Sequence, residues 1–141
     1  MWHQTFAERL GSWTNLRTQC QSLPPESALA AINYWWFNTP WRAYHLHWDD
    51  RATWPDPWQL LDDNLFCSLA RGLGILYTIA LLDRIDMADT VLVDTGADNL
   101  VLVSQEKYIL NWDRDQIVNI NLTPCKIRHS VSLEQIIKQI K

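Results

Sequence analysis

The chain has 141 residues, the usual length of one folded domain, and apolar residues make up 48% of it. We therefore expect a single globular domain over residues 1–141 rather than a disordered or fibrous chain. The net charge of −4 at pH 7, with 12 basic residues scattered among 16 acidic ones, argues against a nucleic-acid-binding protein.

The first part of the domain, residues 1–40, is predicted to be helical. Apolar side chains recur every three or four positions between residues 2 and 16, which predicts a helix over about 4–20. The proline pair at 24–25 is a typical start for a second helix, and the sequence NTP at 38–40 is a typical end.

Tryptophan is concentrated in the next part of the chain, with six of the nine tryptophans between residues 35 and 58. Trp35 and Trp36 would point about 100° apart on a helix, so at least one of them is expected to project from the domain. Because arginine is mixed with these tryptophans, residues 41–58 are predicted to be a Trp-rich interaction segment. The predicted protein interface consists of Trp35, Trp36, Trp41, Arg42, Trp48, Arg51, Trp54 and Trp58.

Two alternatives to a protein interface stay open for these tryptophans. About half of them would suffice to fill the core of a small domain. Tryptophan platforms also bind sugars or the bases of single-stranded nucleic acids. The acidic charge disfavours bases, while nothing in the sequence separates a sugar from a protein as the ligand.

The same segment contains two histidines, His45 and His47, followed by Asp49 and Asp50. On a β-strand, alternate side chains point to one side, and two imidazoles with a carboxylate would then form a metal site. The segment has no clear strand pattern, and the spacing H-x-H is common. We therefore expect a solvated loop or an interface anchor here, with no bound metal or other cofactor.

Two further helices are predicted before the strands. Asp56-Pro57 is a typical start for the short helix PWQLLDD, and capping residues at 62–64 precede a helix from about 65 to 82. Gly72 and Gly74 each lower the stability of that helix by about 1 kcal/mol, which is explained if another element packs closely there. Its apolar run falls below the roughly 20 residues of a membrane span, so no membrane partner is expected.

Short runs rich in β-branched and aromatic residues follow at 90–94, 99–103 and 107–112. Turn sequences separate them, which predicts a three-stranded antiparallel meander, and QIVNINL at 116–122 is a candidate fourth strand. Ser132 is a predicted cap for a C-terminal helix within 131–141. Helices followed by a meander indicate the α+β class.

The three cysteines, Cys20, Cys67 and Cys125, are too far apart for a zinc or redox motif. Reduced thiols in a cytoplasmic setting are the simplest interpretation. The opening sequence MWHQTFAERLG also lacks the basic start and apolar core of a signal peptide, so export through one is not expected.

Cys67 opens a long predicted helix. A glycine-flanked hairpin and a meander come after this helix in the sequence. This order resembles the transglutaminase-like branch of the papain-type cysteine enzymes, over roughly residues 54–112. The approach WPDPWQLLDDNLFCSLA resembles the family's cysteine helix, NLVLV its histidine strand, and YILN the end of its acid strand. The resemblance implies a transglutaminase-like core over residues 59–122.

In this resemblance Cys67 holds the nucleophile position, Asn99 the histidine position and Asn111 the acid position. A thiol of ordinary pKa depends on a neighbouring imidazole for activation, and asparagine cannot accept and return a proton. We therefore predict a retained fold without catalysis, in which Cys67 is a buried apolar residue. The alternative is a thiol amidase or acyltransferase that works through Cys67, with His129 or an upstream histidine as its base.

Small acidic domains with a decayed transglutaminase-like scaffold also resemble proteins of tailed bacteriophages. This general resemblance implies a virion component of the baseplate, tail or neck, made in the host cytoplasm and assembled with other virion proteins. The predicted function is thus that of a non-catalytic structural subunit that docks to its partners through the Trp-rich surface.

Overall fold

The computed structural model describes residues 2–43, 45–105, 107–117 and 127–140. Helices and an antiparallel sheet are both present, which confirms the α+β class. In chain order the elements are α1 (Phe6–Cys20), α2 (Pro25–Phe37), α3 (Pro57–Asp63), α4 (Ser68–Leu82), β1 (Val91–Asp94), β2 (Asn99–Val103), β3 (Tyr108–Leu110), β4 (His129–Ser132) and α5 (Leu133–Ile140). Short 3-10 turns lie at Trp48–Thr53 and Ile85–Met87.

Side chains cap the first and last helices. The Thr5 hydroxyl accepts a hydrogen bond from the Glu8 backbone N–H at 3.2 Å, and the Glu8 carboxylate accepts one from the Thr5 N–H at 3.3 Å. Ser132 and Gln135 repeat this exchange at the start of α5, with distances of 3.2 and 2.9 Å. Because each exchange satisfies two N–H groups that have no partner within the helix, Ser132 acts as the predicted cap.

The longest apolar helix, α4, begins at Ser68, three residues later than predicted. Asn64 adopts a left-handed conformation with φ of 54° and ends α3, and the chain then runs extended to Cys67, the N-cap of α4. The polar residues at 62–64 therefore terminate one helix instead of starting the next.

Both glycines inside α4 lie against neighbouring elements. A Cβ atom at Gly72 would lie 2.8 Å from Leu92 Cδ1, and one at Gly74 would collide with the ring of Trp36. The close packing predicted at these two positions is confirmed. Since α4 is apolar on nearly all sides, it forms the centre of the helical layer.

The sheet has the strand order β3-β2-β1-β4, and all its pairs are antiparallel. The predicted meander is confirmed as β1, β2 and β3. Most of the candidate fourth strand at 116–122 lies outside the described residues, and residues 116–117 are not in a strand. The observed fourth strand, β4, was missed because its sequence HSVS has one apolar residue, and it pairs with the free side of β1.

Apolar residues cover both faces of the sheet. One face joins the main core, which contains buried residues from every helix and strand described. A second cluster on the opposite face consists of Val93, Leu100, Leu102 and Ile109. Continuous apolar runs such as NLVLV are typical of strands that are buried on both sides.

One buried hydroxyl joins two tryptophans in the centre of the core. The indole N–H groups of Trp13 and Trp36 donate to Thr78 Oγ1 at 2.9 and 2.8 Å, and this hydroxyl donates to the Gly74 carbonyl at 2.8 Å. Two acceptor lone pairs and one donor are the full capacity of a hydroxyl, so both large rings are buried without an unsatisfied N–H.

Candidate functional site

Cys67 lies at the N-terminus of α4 and is 4% exposed. Its sulfur accepts hydrogen bonds from the backbone N–H groups of Ala70 and Leu46, both at 3.4 Å. The thiol thus takes the place of the hydroxyl or carboxylate that usually caps a helix. Through Leu46 it also fixes the Trp-rich segment (residues 41–58) against α4.

The structure brings together the three positions predicted from the resemblance. Asn99 is the first residue of β2, and Asn111 directly follows β3. The amide nitrogen of Asn111 donates to the Ser68 carbonyl at 2.9 Å and to the Asn99 carbonyl at 2.7 Å. Asn111 therefore connects the start of α4 with the start of β2, and Cys67 and Asn99 line one cavity.

Both asparagine side chains make structural hydrogen bonds. Asn99 Oδ1 accepts the indole N–H of Trp48 at 2.8 Å, which attaches the Trp-rich segment to the sheet. Asn111 donates to two carbonyls, and an ionised carboxylate has no proton with which to do this. An amide at 111 therefore fits these contacts where an aspartate would not.

The cavity beside Cys67 has a volume of about 350 Å³ and lies between the Trp-rich segment, the start of α4 and the β1–β2 turn. None of the four histidines, which all belong to the described part of the chain, lines it or bonds to the Cys67 sulfur. Its lining residues include Trp41, Leu46, Cys67, Asp94, Asp98 and Asn99.

His129, the possible replacement base, is paired elsewhere. Its Nδ1 lies 2.9 Å from Asp94 Oδ2, and its ring stacks on Trp48 with centroids 5.4 Å apart. Burial raises the pKa of the Asp94 carboxyl, but hydrogen bonds from His129 and Gly96 and the nearby charge of Arg128 hold it below its usual value. The pair connects β4 and β1 and positions Trp48.

The predicted interface residues divide between surface and core. Trp41 is 61% exposed and Trp58 is 40% exposed, as an interface requires. Trp36 and Trp54 are buried, so their assignment to the interface is wrong. Trp36 fills the space above Gly74, and Trp54 is enclosed with its N–H donating to the His47 carbonyl at 2.8 Å.

The remaining members of the predicted interface have side chains that are partly buried or exposed to solvent. Trp35 and Trp48 are partly buried, and both use their indole N–H internally, Trp35 on the Ser12 hydroxyl at 3.2 Å. At least one of Trp35 and Trp36 was expected to project, but Trp36 is buried and Trp35 is partly buried. The reason is that α1 and the N-terminus pack beside α2, with the Trp2 ring 4.6 Å from the Trp35 ring. Arg51 is partly buried over the Trp54 ring, while Arg42 is exposed.

An arginine that the sequence analysis did not consider lies beside Trp41. The Arg71 guanidinium lies over the Phe37 ring at 4.2 Å and over the Trp41 ring at 5.5 Å. Its Nε is enclosed and has no hydrogen-bond partner among the described residues. Burial lowers the pKa of this guanidinium, and charge on Cys67 acts in the opposite direction. The sequence does contain a signal for this site, because Arg71 is the one charged residue in the apolar sequence of α4.

The described residues provide no metal site of three or more His, Cys, Asp or Glu side chains. His45 and His47 precede the 3-10 turn Trp48–Thr53, and their segment forms no strand. In the same described ranges, no helix has the length and apolar character needed to cross a membrane.

Comparisons of the chain with protein-family models, with curated proteins and with solved structures gave no match. The structure shows the α+β class, and the resemblance to transglutaminase-like enzymes stays a prediction.

Proposed function

We propose that this protein is a non-catalytic docking subunit that binds a partner protein through an aromatic surface around Trp41. This Trp41 surface consists of Phe37, Trp41 and Arg71, which contact one another through the Arg71 guanidinium. The observation that carries the proposal is the 61% exposure of Trp41, whose ring lies 5.5 Å from the Arg71 guanidinium. Large aromatic side chains of this kind are the usual anchors of protein interfaces.

The backbone that presents Trp41 is held in place. Trp41 forms a parallel β-bridge with Phe66, and the Arg42 N–H donates to the Phe66 carbonyl at 2.7 Å. A ring on a fixed backbone loses little conformational entropy on binding, which favours tight association. The Trp41 surface therefore has both the chemistry and the rigidity of a docking site.

The surroundings of Cys67 favour docking over catalysis. Its sulfur accepts two backbone N–H groups, and no imidazole of the described residues bonds to it. Asn99 and Asn111 use their amides to hold the Trp-rich segment, α4 and β2 together. Without an imidazole bonded to the sulfur among the described residues, the thiol lacks the usual assistance to proton removal.

We place this docking subunit in the virion of a tailed bacteriophage, within the baseplate, tail or neck, with other virion proteins as partners. This part of the proposal is supported by the general resemblance of small acidic domains of this kind to phage proteins. A subunit held in such an assembly would cover an aromatic patch that otherwise promotes aggregation.

Photo-crosslinking in cells that make the natural assembly tests the docking surface. The photoreactive residue p-benzoylphenylalanine would replace Trp41 in one variant and Ile85 in the other. Ile85 is a suitable control because it is apolar, 94% exposed and lies on a separate turn. We expect a discrete crosslinked product from position 41 and none from position 85.

The partner captured in this way then allows a binding measurement. Trp41→Ala should weaken its binding about 30-fold, equivalent to about 2 kcal/mol, while Ile85→Ala leaves the affinity nearly unchanged. Identical crosslinks from both positions, or full affinity of Trp41→Ala, would contradict the proposal.

A further inference from the structure

We propose that Arg71 is a receptor for the carboxylate of an aspartate or glutamate side chain of the partner protein. This inference rests on the proposed docking function and adds the chemistry of the partner at the centre of the Trp41 surface. The basis is a partly buried positive charge for which the described chain provides no acceptor.

Two other arginines that are largely enclosed have their acceptors. Arg9 donates through Nε to the Leu61 carbonyl at 2.9 Å and through a terminal nitrogen to the Gln4 carbonyl. Arg84 donates to the Cys20 and Leu23 carbonyls at 2.8 and 2.7 Å and pairs with the Asp86 carboxylate. Arg71 differs from these two because no described residue accepts its side-chain N–H groups, which leaves them free for an acceptor on another molecule.

The geometry of Arg71 suits a carboxylate. Its Nε is enclosed, but its two terminal nitrogens are not, and these form the edge of the planar group. The Phe37 and Trp41 rings restrict the plane of the guanidinium, which leaves its terminal N–H groups for a bidentate contact. A carboxylate bound there would also contact the exposed Trp41 ring.

A protein carboxylate fits better than a nucleic-acid phosphate. Binding a polyanion requires several clustered basic residues, whereas this chain has a net charge of −4. The aromatic neighbours of Arg71 are typical of the centre of a protein interface, where a single arginine is a frequent anchor.

Nuclear magnetic resonance of the ¹⁵N-labelled full chain tests the site directly, with signals from Arg71 Nε–H and the Trp41 indole N–H. The probes are N-acetyl-glutamate N-methylamide, its neutral glutamine analogue and inorganic phosphate. We expect saturable shifts with the glutamate probe at a Kd on the order of 1–10 mM, and binding at least about tenfold weaker for the glutamine probe. Equal binding of both amino-acid probes, or tighter binding of phosphate, would overturn the proposal.

Arg17 provides an internal control for the titration. Its guanidinium also faces an aromatic ring, that of Trp13 at 4.3 Å, and its Nε is likewise enclosed, but a terminal nitrogen donates to the Thr14 hydroxyl at 3.3 Å. The Arg17 Nε–H signal should not show the saturable shift. Arg71→Gln should abolish the shift of the Trp41 signal, and Arg71→Lys, which keeps the charge but not the planar fork, should weaken probe binding about tenfold.

The two proposals fail in different ways. If the glutamate probe binds at Arg71 but Trp41→Ala keeps full affinity for the captured partner, the docking function is wrong and the carboxylate site stands. If Trp41→Ala loses the partner and the glutamate probe shows no saturable shift, only the carboxylate site is wrong.

Discussion

Asp94 and His129 illustrate how a pair of side chains joins parts of the chain that the sequence separates by 35 positions. Asp94 ends β1, and His129 begins β4 directly opposite it. The same carboxylate accepts the Gly96 N–H at 2.8 Å, which stabilises the turn between β1 and β2. This pair therefore supports the strand that was not predicted and the ring of Trp48 above it.

The hydrogen bonds to Asp94 predict a pH-dependent contribution to stability. Burial raises the pKa of the carboxyl, yet hydrogen bonds from His129 and Gly96 bring it below its usual value. A carboxyl with a lowered folded-state pKa stabilises the fold above its unfolded-state pKa of about 3.9, and this stability is lost as pH falls through the folded-state value. Asp94→Asn should therefore lower the free energy of unfolding at about pH 7 by about 1 kcal/mol.

Urea unfolding at about pH 7 and about pH 3 measures this effect. The difference between Asp94→Asn and the unaltered protein should be smaller at the lower pH, where the aspartate itself becomes protonated. A difference of the same size at both values would show that the charge of Asp94 does not contribute.

Among the helices, α4 combines the features on which the fold most depends. It packs on α1, α2, α3 and α5 on some sides and on β1 and β2 on another. Tyr77 donates its hydroxyl hydrogen to the Pro55 carbonyl at 2.5 Å, so α4 also anchors the end of the Trp-rich segment. Small residues are required where neighbours come close, and this explains glycine at two positions of an otherwise strongly apolar helix.

Substitution of glycine by alanine should have opposite effects in α4 and α1. Gly74→Ala would push a methyl group into the Trp36 ring, and we expect a loss of about 1–3 kcal/mol. At Gly11 no atom of another described element lies within 4 Å of the place that a methyl group would take, so Gly11→Ala should stabilise the protein by about 0.5–1 kcal/mol through helix propensity. Thermal and urea unfolding of both variants gives the comparison, and a Gly74→Ala protein as stable as Gly11→Ala would contradict the packing argument.

At the scale of the whole molecule, three separate parts of the chain meet at the cavity beside Cys67. The Trp-rich segment covers this cavity and is attached by Leu46 to the sulfur, by Trp48 to β2 and by Trp54 to its own backbone. Trp41 of the same segment lines this cavity and is 61% exposed. The cavity and the proposed docking surface therefore meet at Trp41.

This arrangement predicts a slowly reacting Cys67 thiol. Because Cys67 is 4% exposed and no described imidazole bonds to its sulfur, it should react with iodoacetamide at about pH 6 more slowly than free cysteine. Mass spectrometry of peptides separates its modification from that of Cys20 and Cys125. A Cys67 thiol that reacts much faster than free cysteine would instead support the cysteine-dependent amidase or acyltransferase.

Local sequence patterns were sufficient for much of the fold. The start of α2 at Pro25, the bounds of α3 and the three strands of the meander follow from prolines, caps and runs of β-branched residues, which act within a few positions. Cys67, Asn99 and Asn111 also lie close together in the structure, as the order of helix, hairpin and meander in the sequence indicates.

Contacts between residues that are far apart in the sequence could be seen only in the tertiary structure. Trp36 and Trp41 look alike in sequence, but one fills the space above Gly74 and the other faces solvent, because burial depends on which element packs against each ring. Strand β4 forms because β1 offers a free edge, and its own sequence is too polar to indicate a strand. Arg71 is a candidate site because no described residue accepts its side-chain N–H groups, and this depends on the folded surroundings, not on the local sequence.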